Sequence, residues 1–272
     1  MSARYRSLPD EDYRFTLGTT RGSVADFFAP TMDNADILRE RRHWLSTSPE
    51  RYAGLLPLGE PIADEFCRVA SVWIGKDAVR QTEPLSRLME VSARLEPDIV
   101  LIREDEARLP IVMGGCVCFP SSWSLPEKIG LSVAEVHDIV PGMNAVLSER
   151  VDKLLHALKP GEGWVRSNWS SEASADRNQH PSQPTPEMTA PLDPARVWLR
   201  REHQLLFRLP ETGGIVFGIR LEHTPLREVQ ADPEMTRRWA RGLQTMPAEL
   251  LDYKGLLSVR DDLVALLLNA AK

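Results

Sequence analysis

The stretch Ala195-Arg-Val-Trp-Leu-Arg-Arg-Glu-His-Gln-Leu-Leu-Phe-Arg-Leu209, the turn Pro210-Glu-Thr-Gly-Gly214 and the return Ile215-Val-Phe-Gly-Ile-Arg-Leu221 decide the fold class. Two runs rich in aliphatic and aromatic residues, parted by a Pro/Gly turn, read as a β-hairpin. Alternation puts Trp198, Arg200, Glu202, Gln204, Leu206 and Arg208 on one face of the first run. Val197, Leu199, Arg201, His203, Leu205, Phe207 and Leu209 take the other, mainly apolar face. The first face is either solvated or the lining of a polar pocket. On the return run Arg220 shares a face with Val216 and Gly218, and Gly218 leaves room for a close approach to the sheet.

Working outward, residues 98–102 and 109–119 read as strands, with Gly114-Gly115 marking a bulge or a close backbone approach. Residues 164–169 form another strand, with Trp164, Arg166 and Asn168 on one face. Helical spacing marks residues 34–45, 62–75 and 84–95. Ser132-Val-Ala-Glu135 is a capping box whose helix stops at Pro141. A second helix carries Leu147, Val151, Leu154, Leu155 and Leu158 and ends at Pro160-Gly161. Residues 170–194, with five prolines between Pro181 and Pro194, form a long loop. Asp232-Pro233 starts another helix, with Met235, Trp239 and Leu243 on one stripe, and residues 256–268 close the chain as a helix. Strand–helix alternation is not regular, so the class is α+β with an antiparallel sheet. The organisation is an N-terminal helical extension (1–95), a core (96–230) and C-terminal helices (231–272).

Composition narrows the function. The chain has 272 residues, 42% hydrophobic and 26% charged, with a net charge of -6. The acidic balance argues against general nucleic-acid binding. Cys67, Cys116 and Cys118 are too few for a disulfide framework or a four-thiolate iron–sulfur cluster. The polar start Met1-Ser-Ala-Arg-Tyr-Arg and the absence of a long apolar run argue for a cytoplasmic protein without a membrane span. No dinucleotide loop, P-loop or metalloprotease motif occurs. Cys116 and Cys118, at i and i+2, read as small buried hydrophobes.

Two features suggest a site. Val133, Val136, His137 and Val140 fall on one stripe of the capped helix. His137 there is either a core imidazole bonded to backbone or an axial ligand reaching into a cofactor pocket. Arg166 and Asn168 are either a solvent face or donors aimed at a bound oxygen or carboxylate.

Several stretches then occur in order: Cys118-Phe-Pro-Ser-Ser-Trp123, Glu135-Val-His-Asp-Ile-Val-Pro141, Arg166-Ser-Asn-Trp169, Glu202-His-Gln204, Arg208-Leu-Pro210 and Phe217-Gly-Ile-Arg220. Together they resemble the α subunit of haem-dependent oxidative N-demethylase. The resemblance covers about residues 95–230. It implies a PAS-like antiparallel sheet with helices clasping one haem b. It implies oxidation of a small methylated amine, dimethylamine in the family, by dioxygen. Electrons would come from NADPH through a partner reductase carrying FMN and a 2Fe-2S centre.

Carried over, His137 is the iron ligand, with Trp169 and Arg208 as further cofactor-binding residues. Arg166, Asn168, Glu202, Gln204 and Arg220 are the catalytic candidates of the distal pocket. The alternative on the same fold is a haem-based gas or redox sensor without turnover; a cofactor-free interaction subunit is a third reading. The sequence departs from the family pattern at His203 (usually arginine), Ile139 (commonly proline) and Glu222 (near a frequent tyrosine).

Overall fold

A computed structural model describes residues 8–75 and 79–269. The polar start at residues 1–7 lies outside the described residues. Among those described, seven strands form one antiparallel sheet in the order β1-β5-β6-β7-β3-β4-β2. Their ranges are β1 Thr20–Gly22, β2 Ala53–Leu55, β3 Asp98–Glu104, β4 Pro110–Cys116, β5 Gly163–Glu172, β6 Trp198–Arg208 and β7 Ile215–Pro225. The fold is thus α+β.

The hairpin of β6 and β7 is the spine of the sheet. Its register runs from Arg208↔Ile215 to Trp198↔Pro225, so the return strand is four residues longer than its apolar run suggests. Backbone pairing carries it through Glu222, His223 and Thr224, whose side chains show no strand pattern of their own. At the turn, Glu65 accepts from the amides of Glu211 and Thr212, both at 2.7 Å. The Gly114-Gly115 pair serves both roles expected of it. The β3–β4 register shifts between Leu101 and Ile102. A Cβ on Gly115 would lie 2.2 Å from the carbonyl oxygen of Ile99. Gly218 admits the ring of Phe27, 3.0 Å from where a Cβ would stand.

The edge strands β1 and β2 come from the segment before residue 95, which by its sequence reads as a helical extension. Each is three residues long, too short for alternation to register. The same segment holds α1 (Val24–Phe28), α2 (Asn34–Thr47), α3 (Pro49–Tyr52), α4 (Glu60–Ile74) and α5 (Pro84–Ser92). On one face of the sheet, Phe66 and Leu88 of α4 and α5 pack with Ile99, Leu101, Leu205 and Val216.

On the opposite face lie α6 (Val133–His137) and α7 (Met143–Ala157), the two helices between β4 and β5. Val133, Leu155 and Leu158 there pack with Val100, Ile102, Leu206 and Ile215. The chain closes with α8 (Leu226–Gln230), α9 (Pro233–Thr245), α10 (Ala248–Tyr253) and α11 (Arg260–Asn269). The Asp232 carboxylate caps α9, accepting from the amides of Glu234 and Met235 at 3.0 and 3.1 Å. Trp239, Leu243 and Leu263, all fully buried, join Leu199 in a third cluster. The final helix starts at Arg260 because Gly255, at φ +65°, ends α10 and turns the chain.

Candidate functional site

The helix α6 has only five residues, and its start is held by local chemistry. The Ser132 hydroxyl donates to the Glu135 carboxylate at 2.7 Å and accepts from the Glu135 amide at 3.2 Å. Glu135 in turn accepts from the Ser132 amide at 2.7 Å, completing the box. At its far end, Asn144 donates to the Ala134 carbonyl and to Asp138, at 2.8 and 2.6 Å. These bonds set the position of His137, the last residue of the helix.

His137 is half-buried, and neither ring nitrogen has a hydrogen-bond partner among the described residues. Burial, then the nearby Arg166 guanidinium, pushes its pKa below the usual histidine value. The imidazole is therefore neutral near pH 7 and keeps a lone pair to offer. A core histidine bonded to backbone, the bland alternative, would show that bond.

Strand register places Arg166 and Asn168 on the sheet face covered by α6 and α7. Arg166 pairs across to Gln204 and Asn168 to Glu202, so the four side chains stand side by side. Gln204 donates to Glu202 at 3.1 Å. The exposed Asn168 amide has no partner among the described residues. Arg166 makes no hydrogen bond or ion pair within 4.0 Å there, and its Nε is sealed from water without a partner. Burial lowers the Arg166 pKa against the opposing pull of Glu202 and Tyr13, and a guanidinium keeps its proton regardless.

Arg220, Trp169 and Arg208 do not join this group. Arg220 lies on the opposite face, ion-paired with Glu96 at 3.0 Å and donating to the Ala29 carbonyl at 2.9 Å. Trp169 also points to that side, where its ring lies against Gly242 of α9 and edge-on to Tyr13. Arg208 closes the C-terminus of α7, donating to the carbonyls of Leu155 and Leu158 at 2.7 and 3.0 Å, and pairs with Glu104 at 2.7 Å.

Residues not singled out from sequence complete the patch. Arg200, 1% exposed, stands 4.0 Å from Glu202 and donates to the Phe119 carbonyl at 2.8 Å. Strand alternation already places it on the Glu202 face; what alternation lacks is any sign of its burial. Lys254, just after α10, is half-buried, and burial lowers its pKa against the opposing pull of Glu202 and Glu172. Tyr13 reaches Arg166 from the N-terminal segment. Neither of these two carries a sequence signal, because each approaches from a distant, aperiodic segment. His203 and Glu222, two of the departures from the family pattern, meet on the far face. His203 Nε2 lies 2.8 Å from Glu222, and its Nδ1 lies 3.0 Å from Ser167 Oγ.

Two surface depressions, of about 510 Å³ at Asp36, Arg39, Glu40, His43 and Arg177 and about 640 Å³ along Asn144–Asp152, lie outside this patch. Among the described residues no group of three or more His, Cys, Asp or Glu side chains converges on one point. A porphyrin asks for less, since it occupies four positions on the iron itself and needs one axial side chain. The unbonded neutral imidazole of His137 beside the unpaired cation of Arg166 fits such a group, which brings both a metal and carboxylates.

A family model for the haem-dependent oxidative N-demethylase, alpha subunit-like, matches residues 43–264. The match covers 222 of the 272 residues and includes all of the patch except Tyr13.

Proposed function

From this chain's membership of the haem-dependent oxidative N-demethylase, alpha subunit-like family, we propose that it binds one haem b on the α6–α7 face of its sheet, with His137 as axial ligand. There it would oxidise a small methylated amine of the dimethylamine kind, releasing formaldehyde and the shorter amine. The electrons would come from NADPH through a separate reductase carrying FMN and a 2Fe-2S centre, and the site of action would be the cytoplasm. The observation that carries the reading is the His137 imidazole: neutral, unbonded, set at the end of a capped helix and facing the polar patch.

The haem, when bound, supplies the dioxygen and one-electron chemistry. The chain's own residues supply position and electrostatics. Burial keeps His137 free of a competing proton. The half-buried Arg166 guanidinium and the exposed Asn168 amide would be donors available to negative charge that develops on oxygen. Glu202, steadied by Gln204 and Arg200, offers an acceptor to the substrate ammonium, and Trp198 on the same face offers an aromatic one. No helix among the described residues is long and apolar enough to cross a membrane.

Reconstitution with hemin tests the ligand. His137→Ala should abolish or strongly shift the haem absorption band, and an unchanged spectrum removes His137 from the role. Formaldehyde formed from dimethylamine, NADPH and a reductase tests turnover. Haem binding without formaldehyde would leave the sensor reading in its place.

A further inference from the structure

On the sheet face opposite Arg166, polar side chains from three adjacent strands stand in one line. Ser167 of β5 pairs in register with His203 of β6, and Glu222 of β7 lies diagonally beyond it. Ser167 Oγ is 3.0 Å from His203 Nδ1, and His203 Nε2 is 2.8 Å from Glu222 Oε2. Arg201 holds the other Glu222 oxygen at 2.6 Å. His203 is 2% exposed, whereas Ser167 is open to solvent. The haem reading above uses none of these residues.

The donor inventory fixes the direction of the line. A carboxylate only accepts, so the proton of the neutral ring sits on Nε2, toward Glu222. Nδ1 then carries the lone pair, and it faces the Ser167 hydroxyl. A serine hydroxyl is a weak nucleophile until an adjacent base takes its proton, and a third group keeps that base in aim. Here the base is buried, its orienting carboxylate is anchored by a buried arginine, and the hydroxyl stands where a second molecule can reach it. A surface serine has water as a partner and needs no imidazole for its own stability.

Two neighbours bear on what binds there. Trp169 lies two residues on along the same face of β5, with Tyr13 edge-on to it at 6.2 Å between ring centroids, and the two form an aromatic wall. β1 pairs with β5 only as far as Val165, so beyond it the outer edge of β5 has no ladder partner among the described residues. Alternate N–H groups of that edge are donors of the kind a developing oxyanion needs.

We propose that Ser167 as nucleophile, His203 as base and Glu222 as positioning residue form a relay that hydrolyses small esters bearing an apolar or aromatic group. Ser167 Oγ attacks the carbonyl carbon, and its proton passes to His203 Nδ1 while Glu222 steadies the charged ring. The alkoxide takes that proton and leaves as the alcohol. Water then attacks the acyl-serine in the same way, releasing the carboxylic acid and restoring Ser167.

A fluorophosphonate probe reports the first step alone: Ser167 Oγ displaces fluoride from phosphorus, and His203 takes the proton. Intact mass and peptide mapping of the full chain should show one adduct, on Ser167, and the chain should hydrolyse p-nitrophenyl acetate. Ser167→Ala, which removes only an exposed hydroxyl, should lose both. His203→Gln, with folding checked by circular dichroism, should slow labelling by about 100-fold or more. Glu222→Gln should slow it by about tenfold or more, and Glu222→Asp, which keeps the charge, should recover most of that loss. No adduct on the wild type, adducts scattered over other serines, or a Ser167 adduct formed equally fast in folded His203→Gln would each overturn the relay. If His203→Gln does not fold, the wild-type map still decides: an adduct confined to Ser167 supports the relay, and adducts elsewhere refute it.

Discussion

The two faces of the sheet treat arginine differently. On the α4–α5 face, Arg220 has Glu96 at 3.0 Å and a backbone carbonyl at 2.9 Å, and Arg201 has Glu222 at 2.6 Å. On the α6–α7 face, Arg166 has neither a carboxylate within 4.0 Å nor a hydrogen bond among the described residues. Arg220 stands on β7 and Arg166 on β5, the two strands that flank β6. Arg220 is part of the scaffold, and Arg166 has no protein partner of that kind among the described residues. A residue type and its position on a strand therefore do not reveal a site; the state of its partners does.

The largest expected effect tests the scaffold side. Arg220→Met leaves Glu96, 2% exposed at its side chain, as a buried charge without its cation, held only by neutral donors from Thr31 and Asn34. It should cost about 3–5 kcal/mol in urea denaturation. A loss below about 1 kcal/mol would erase the distinction between the faces.

Next comes pH. Nε2 of His223 lies 3.4 Å from Arg200, which only donates, so this nitrogen accepts and the ring is neutral. Burial, then Arg200 and Arg177, push the His223 pKa down to about 3. The unfolded chain takes up this proton near pH 6.5, and the folded chain resists it until about pH 3. This contribution to stability is thus complete above pH 6.5 and falls away as pH drops toward 3. Allowing for partial solvent screening, about 1–2 kcal/mol should be lost by pH 4.5. Comparing denaturation of wild type and His223→Gln across pH 4.5–7 isolates it; parallel curves would refute it.

Ser132→Ala removes the cap of α6 and should cost about 1 kcal/mol. Because His137 ends that helix, hemin affinity should fall with it, and a stability loss without any change in hemin binding would separate α6 from the haem site. The smallest effect is the sharpest test of the contrast. Arg166→Met should change stability by no more than about 0.5 kcal/mol, or raise it, since no partner is orphaned. A loss comparable to that of Arg220→Met would mean that Arg166 is scaffold too.

Legibility in the sequence followed the range of the forces involved. The hairpin, the alternation that set Glu202 beside Gln204, the glycine pair of β4 and the Ser132 box all express contacts between residues near in sequence or directly paired. The three-residue strands β1 and β2 escaped because no periodicity can develop in them, and their pairing is imposed by β5 and β4. Arg220, Trp169 and Arg208 were grouped with the pocket by resemblance, whereas Gly242 behind Trp169 and the end of α7 beneath Arg208 determine where those side chains go.

Taken alone, the order of residues determined an antiparallel α+β chain with a capped helix presenting an imidazole and a strand presenting an arginine and an amide. It did so through dihedral preference and side-chain period, which act over a few residues. Only the tertiary structure decided which charges are neutralised. The carbonyl that Arg220 meets is 191 residues away. Electrostatic pairing depends on distance in space and on the exclusion of water, and folding sets both at once.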